Sequence, residues 1–104
     1  MGFESFWKDL KQSLINKTLI RNWTKDSGYL QKGDFEAVWK GGDYIECYPP
    51  GAKNTQVVSK EDFKLIYDNW KDYLNGEIRR PELRDLSRFT KYTISIIHQF
   101  KGLM

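Results

Sequence analysis

The clearest hydrophobic pattern in the chain is a run of apolar side chains that follows Ser59. Their three- and four-residue spacing is typical of one face of an α-helix, and the members are Phe63, Ile66, Tyr67, Trp70, Tyr73 and Leu74. Ser59 suits the cap of this helix, and the acids Glu61 and Asp62 suit the positive end of its dipole. Gly76 accepts the left-handed backbone that ends helices. The sequence therefore predicts a helix between Ser59 and Gly76.

The N-terminal segment, Phe3 to about Ile15, has the same periodicity. Its apolar side consists of Phe3, Phe6, Trp7, Leu10, Leu14 and Ile15, which predicts an amphipathic helix. The short segment Thr18–Trp23 fits either the end of this helix or a first strand. Thr24–Gly28 has the composition of a turn, and we expect Thr24–Lys32 to be a loop.

After Gly33 the period changes to that of strands. Alternation around Phe35–Trp39, strand-forming residues at Tyr44–Tyr48 and the short run Thr55–Val58 predict three strands. The glycine pair in Gly41-Gly42-Asp43 supplies the positive φ of a tight hairpin, and Pro49-Pro50-Gly51 ends the second strand. Short connections favour an antiparallel sheet packed on the helix that follows Ser59.

Two further helices are predicted after Gly76. Pro81 fits the first turn of a short helix, which Leu83 and Leu86 would anchor to the core. Ser87 or Thr90 would cap a last helix that runs to about Phe100. The predicted fold is α+β, with an N-terminal helix, a three-stranded antiparallel sheet and a C-terminal three-helix group. A chain of 104 residues is too short for two cores, so residues 1–104 form a single domain.

Composition narrows the class of protein. The 16 aromatic residues can supply a core, and any surplus would suit a dimer interface or a stacking surface. The net charge of +3 is mildly basic. One cysteine, Cys47, excludes an internal disulfide and every multi-cysteine zinc pattern. Charged residues near the N-terminus argue against a signal peptide or a membrane span, so we expect a cytoplasmic protein.

The last predicted helix divides into two arcs. A wheel at about 100° per residue puts an apolar arc at Phe89, Tyr92, Thr93, Ile96, Ile97 and Phe100, and a polar arc at Arg88, Lys91, Ser95, His98, Gln99 and Gly102. Ile94 lies off the apolar arc. Arginine side chains suit phosphate and polar side chains suit base edges. The candidate nucleic-acid contacts are Arg79, Arg80, Arg84, Arg88 and Lys91 for phosphate, and Ser95 and Gln99 for bases.

The predicted order is a long helix, a short helix, a tight turn and a final helix, and it resembles a helix-turn-helix domain. The residues that carry this resemblance are Glu82–Ile97. The resemblance implies that the final helix enters the major groove and that the preceding helix crosses the backbone. The turn lacks the usual Gly, and the final helix has only two cationic residues. The larger block from Trp39 to His98 also resembles small uncharacterised bacterial domains of mobile gene cassettes, a resemblance that implies no established activity.

Three classes of function follow from these features. The first is a non-enzymatic module that binds nucleic acid, without metal or cofactor. The second is a homodimeric protein-interaction module that uses exposed aromatics and Ile94. The third is a ligand-binding or enzymatic role at Cys47 or His98, which lack ligand spacing or a family signature. Four acids around the hairpin resemble the acidic pairs of metal-dependent nucleases, and they are Asp34, Glu36, Asp43 and Glu46. Those nucleases have a lysine two residues after the acid, but the residue two after Glu46 is Tyr48.

The charge pattern supplies a structural criterion. The polar arc of the last helix is also what a solvated helix face looks like. If Arg79 or Arg84 paired with Glu77, Glu82 or Asp85, the positive patch would be neutralised. One continuous convex surface formed by Arg79, Arg80 and Arg84 together with the polar arc of the last helix would instead favour an anionic partner.

Overall fold

Helices occupy the regions that the hydrophobic pattern predicts, and strands are more numerous than predicted. A computed structural model describes residues 2–51 and 53–104. Its helices are α1 (Phe3–Ser13), α2 (Lys60–Asn75), α3 (Arg80–Leu86) and α4 (Thr90–Gln99), followed by a 3₁₀ turn at Lys101–Leu103. Its strands are β1 (Thr18–Ile20), β2 (Trp23–Thr24), β3 (Gly28–Tyr29), β4 (Phe35–Val38), β5 (Tyr44–Tyr48) and β6 (Gln56–Ser59). The α+β class is confirmed.

The predicted bounds of α2 are confirmed by its two caps. The Ser59 hydroxyl accepts the Asp62 N–H at 3.3 Å, which satisfies one of the free donors of the first turn. Gly76 ends the helix with φ of 80°, in the left-handed region. Phe63, Ile66, Trp70 and Tyr73 are buried along the predicted face, whereas Leu74 at its end is 42% exposed.

The main sheet has four antiparallel strands in the order β1-β4-β5-β6, so the prediction of three strands is wrong. Segment Thr18–Trp23 divides into a strand of each sheet. Thr18–Ile20 pairs with β4 and places Ile20 opposite Phe35. This strand is too short to give a period in the sequence, and it forms because β4 offers a free edge.

A second sheet occupies the region that we expected to be a loop. Trp23 pairs with Tyr29, and Thr24 pairs with Gly28, which has φ of 68°. The β2–β3 hairpin has only two residues in each strand. A hairpin of this size is not stable alone, so it depends on contacts with the helices.

The core lies between the inner face of the main sheet and the helices. Side chains of that face are at most 1% exposed, and they are Ile20, Phe35, Ala37, Ile45, Cys47 and Val58. Helix α1 adds a cluster of aromatic rings, in which Trp7 lies 5.4 Å from Phe63 of α2. The helix ends at Ser13, so Ile15 falls outside it and is 52% exposed.

Helix α4 is the most deeply buried helix, and its predicted polar arc is only partly a solvent face, because Ser95 and His98 are buried whereas Arg88 and Gln99 are exposed. Its buried residues are Thr90, Thr93, Ile94, Ser95, Ile96, Ile97 and His98. The expectation that Ile94 lies off the core is wrong, because its side chain is fully buried. Contacts from α2 on one side and β1, β2 and α3 on others leave α4 few solvent positions.

The turn before α4 also differs from the prediction. Phe89 is the cap residue of the helix, with no side-chain cap. The Ser87 hydroxyl accepts the Phe89 N–H at 3.2 Å and donates to the Asp62 carboxylate at 2.7 Å, which ties this turn to the start of α2. Leu83 anchors α3 as predicted, but Leu86 is 61% exposed.

The burial of Ile94 gives a direct test of this arrangement. We expect Ile94→Ala to lower the free energy of unfolding by about 2–5 kcal/mol, the usual cost of a large-to-small core substitution. Ile15→Ala is the matched control and should change it by less than about 0.5 kcal/mol, as exposed sites do. Urea unfolding measures both, and equal effects of the two substitutions would contradict the core position of Ile94.

Candidate nucleic-acid interface

The short helix α3 and its flanks carry the arginines that were predicted to contact phosphate. Its start is fixed by Glu82, whose carboxylate accepts the backbone N–H of Arg79 at 3.2 Å. Pro81 lies in the first turn, as predicted, where its missing N–H costs no hydrogen bond. Leu83 is fully buried and holds one side of the helix against the core. The other sides of α3 therefore face outward.

In the described part of the chain, none of the arginines around α3 forms an ion pair. Arg79, Arg84 and Arg88 are exposed, and Arg80 is half-buried. Among residues 2–51 and 53–104, every ion pair uses a lysine, and no guanidinium lies within 4.0 Å of a carboxylate. The pairs with Glu77, Glu82 or Asp85 that would neutralise the patch are thus not formed in the described part of the chain.

Lys91 and Arg88 lie against aromatic rings. The Lys91 ammonium is 5.6 Å from the Tyr92 ring centroid and 6.0 Å from that of Phe35. The Arg88 guanidinium lies 5.0 Å from the Phe89 ring. Cation–π contacts of this kind orient a cation without neutralising it, so both side chains keep their positive charge.

Ser95 is not available to a ligand. Its side chain is fully buried, and its hydroxyl accepts the Trp23 N–H of β2 at 3.0 Å. The same oxygen lies 3.4 Å from the Trp23 carbonyl and 3.5 Å from the Asn22 side-chain oxygen. The expectation that Ser95 faces solvent and reads a base is therefore corrected, because the β2–β3 hairpin covers it.

Gln99 is exposed, but its amide is already engaged by backbone. Its Oε1 accepts the Arg21 N–H at 3.1 Å, and its Nε2 donates to the Leu19 carbonyl at 2.9 Å. A side-chain amide has both an acceptor and a donor, so it can bond to the edge of a strand as the backbone of a neighbouring strand would. Gln99 thus holds the end of β1 against α4, and reading a base would require breaking both bonds.

His98 lies beneath the β2–β3 hairpin, although the sequence favoured a surface position. Its ring stacks on Trp23 with centroids 3.8 Å apart and planes 7° apart, and Tyr29 meets it edge-on at 5.6 Å. Lys101 places its ammonium 3.2 Å from Nε2. Burial, followed by the charge of Lys101, lowers the pKa of His98. The ring is therefore neutral at pH 7 and serves in packing.

Neither Cys47 nor the acidic residues of the β4–β5 hairpin form a reactive cluster. Cys47 is fully buried in β5, and burial raises the pKa of its thiol to about 12, which keeps it protonated and unreactive. The Asp34 carboxylate accepts the Asn22 N–H at 2.9 Å, and the Asp43 carboxylate accepts the Trp7 indole N–H at 3.3 Å. The described residues contain no group of three or more His, Cys, Asp or Glu side chains that could hold a metal.

A cavity beside α3 includes two residues that sequence reasoning missed. It has a volume of about 320 Å³ and is lined by Lys25, Asp26, Tyr73, Ile78, Arg79 and Arg80. The Lys25 N–H donates to the Tyr73 hydroxyl at 3.0 Å, which joins the β2–β3 turn to the end of α2. Lys25 and Tyr73 are 48 residues apart, so no local pattern in the sequence could have associated them.

Comparison of the chain with protein-family models, with curated proteins and with solved structures found no match. Within the described residues, no helix is both long enough and apolar enough to cross a membrane.

The structural role of Ser95 predicts a loss of stability when its hydroxyl is removed. Ser95→Ala leaves the Trp23 N–H without its acceptor, which should lower the free energy of unfolding by about 1–3 kcal/mol. Ser5→Ala on the exposed side of α1 is the control and should change it by less than about 0.5 kcal/mol. Chemical denaturation of both variants measures the difference, and an unchanged stability of Ser95→Ala would refute this role.

The buried histidine predicts a pH dependence of stability. Its folded pKa lies below the unfolded value of about 6.5, so the unfolded chain binds a proton that the folded chain does not. The free energy of unfolding should therefore fall as the pH is lowered through about 6.5, until the folded pKa is reached. His98→Gln should remove this fall, since His98 is the only histidine in the chain.

Denaturation measured in steps between neutral and mildly acidic pH gives the slope, and the chemical shifts of the His98 ring give the folded pKa. A folded pKa at or above the unfolded value would contradict the buried, neutral state of the ring.

Proposed function

We propose that this domain is a non-enzymatic binding module for the phosphate backbone of nucleic acid. The contact surface consists of Arg79, Arg80, Arg84 and Arg88, which we call the arginine surface, with Lys91 at its border. The observation that carries the proposal is the absence of any ion pair to these guanidinium groups among the described residues. Unpaired arginines keep the planar donor arrangement that suits phosphate oxygens.

The spacing of the arginine surface supports contact with an extended anion. Arg80 and Arg84 are one helical turn apart on α3, so their side chains lie on the same side of the helix. Arg79 precedes the helix and Arg88 follows it, in the turn before α4. The cations thus follow the length of a seven-residue helix, as contacts to an extended anion would.

The proposed contact uses phosphates and does not use the bases. In a helix-turn-helix domain the final helix inserts its outer face into the major groove. In this chain the corresponding face of α4 is covered by the β2–β3 hairpin, and Ser95 and Gln99 bond to protein groups. Phosphate contacts position a protein without reading sequence, so the module should bind different sequences with similar affinity.

A homodimer is the second candidate function, favoured by apolar side chains on the outer face of the main sheet. Leu19 of β1, Tyr44 of β5 and Val57 of β6 are 57%, 44% and 50% exposed. The dimer cannot use Ile94, which is buried, and most aromatic rings belong to the core. Strand β6 also leaves one edge of this sheet open to pairing, whereas Gln99 bonds to the backbone at the end of β1.

The salt dependence of binding tests the arginine surface. We expect binding of mixed duplex DNA to weaken with salt, with a slope of about −0.9 for each phosphate contacted. Arg84→Gln and Arg88→Gln should each reduce that slope by about 1, because each removes one phosphate contact. Fluorescence anisotropy at low and physiological salt measures both affinity and slope.

The control is Lys8→Gln at an exposed position of α1, because it removes the same charge from another element. The proposal is refuted if no binding occurs at low salt, or if the control reduces the slope as much as the arginine substitutions. A salt-insensitive dimer that does not retain DNA would favour the second candidate.

A further inference from the structure

The cavity beside α3 is lined by more cationic than anionic side chains. It lies where the β2–β3 turn meets the end of α2 and the start of α3. Three cationic side chains line it, Lys25, Arg79 and Arg80, against one carboxylate, Asp26. In the described ranges none of the three lies within 4.0 Å of a carboxylate oxygen. The cavity therefore has a formal lining charge of +2.

One donor in this lining is buried and unsatisfied. The Arg80 Nε is removed from solvent and has no hydrogen-bond partner in the part of the chain that the structure describes. A buried donor without an acceptor is costly in a folded protein, and such groups are few. Because the Nε itself is out of reach of solvent, an anion in the cavity would contact the other N–H groups of this guanidinium, which lines the cavity.

Lys25, the third cation, is held at the cavity by its own backbone N–H. Tyr73 is only 2% exposed and anchors Lys25 through its hydroxyl, which accepts the Lys25 N–H at 3.0 Å. Gly76 has φ of 80°, and a Cβ built on it would lie 3.1 Å from the Lys25 ammonium. The absence of a side chain at Gly76 thus lets the ammonium approach the end of α2, next to the arginines.

We propose that this cavity binds a phosphate monoester through Lys25, Arg79 and Arg80. A monoester carries about −1.5 to −2 charges at pH 7 and presents three acceptor oxygens, which suits a lining of +2 that contains three cationic side chains. An internal phosphodiester carries a single charge and continues in both directions, so it suits the open arginine surface. The volume of about 320 Å³ leaves room for a small organic group beside the phosphate.

The source of the ester is either the terminal phosphate of a nucleic-acid strand or a small phosphorylated molecule. The inference rests on the proposed function for the first source only. The recognition chemistry is the same in both cases, so the experiment separates them.

The first arm of the test uses inorganic phosphate and two-dimensional ¹H–¹⁵N NMR of the whole chain. We expect resonances of Lys25, Gly76, Arg79 and Arg80 to shift, and the affinity to increase with pH as inorganic phosphate changes from the monoanion to the dianion. Lys25→Gln should weaken binding about tenfold, the loss expected for a hydrogen bond to a charged group. This substitution keeps the backbone bond to Tyr73, and Lys8→Gln is the charge-matched control.

The second arm compares otherwise identical single strands with a 5′-phosphate or a 5′-hydroxyl. Tighter binding of the phosphorylated strand, lost in Lys25→Gln, supports the strand end as the source. Binding of inorganic phosphate without that preference supports the small molecule. If phosphate binds and no strand does, the proposed function fails and the inference stands. If phosphate shifts none of these resonances, the inference is overturned, even where the strands bind through the arginine surface.

Discussion

The stack of Trp23 on His98 is the interaction on which the arrangement of this domain depends. The ring centroid of Trp23 lies 3.8 Å from that of His98 in α4 and 6.1 Å from that of Trp70 in α2. It thereby joins a two-residue strand, which could not persist alone, to two helices. The hairpin that Trp23 anchors covers the side of α4 that would otherwise meet solvent. Both the buried polar groups of α4 and the position of Lys25 follow from this contact.

The same contact determines where the protein can present charge. Polar groups that lie under the hairpin must find protein partners, because an unsatisfied buried group is costly. Ser95 does so through the backbone of Trp23, and the exposed Gln99 bonds to the backbone of residues 19 and 21. The arginines of α3 and its flanks have no such partners among the residues described. The cations of the proposed binding surface therefore lie on α3 and its flanks, and α4 serves as the centre of the core.

Local chemistry explains what the sequence could predict, and long-range contact explains the rest. Helix α2 was predictable to its ends because Ser59 and Gly76 act within a few residues of themselves. Arginines on an outward-facing α3 were also predictable, because Pro81 and Leu83 fix the start and the inner side of that helix. The burial of Ser95 was not, because the strand that covers it lies 72 residues earlier. A helix wheel shows which residues share a face, but it contains no information about what covers that face.

Chemical-shift mapping with a short DNA duplex tests the central claim most directly, that α3 and its flanks, and not α4, form the binding surface. In an ¹H–¹⁵N titration at low salt, the account predicts shifts at Arg79, Arg84 and Arg88, with little change at residues 94–98. Shifts centred on residues 94–98 would contradict it, since they would require the β2–β3 hairpin to leave α4. The absence of any shift would show that the arginine surface does not bind nucleic acid.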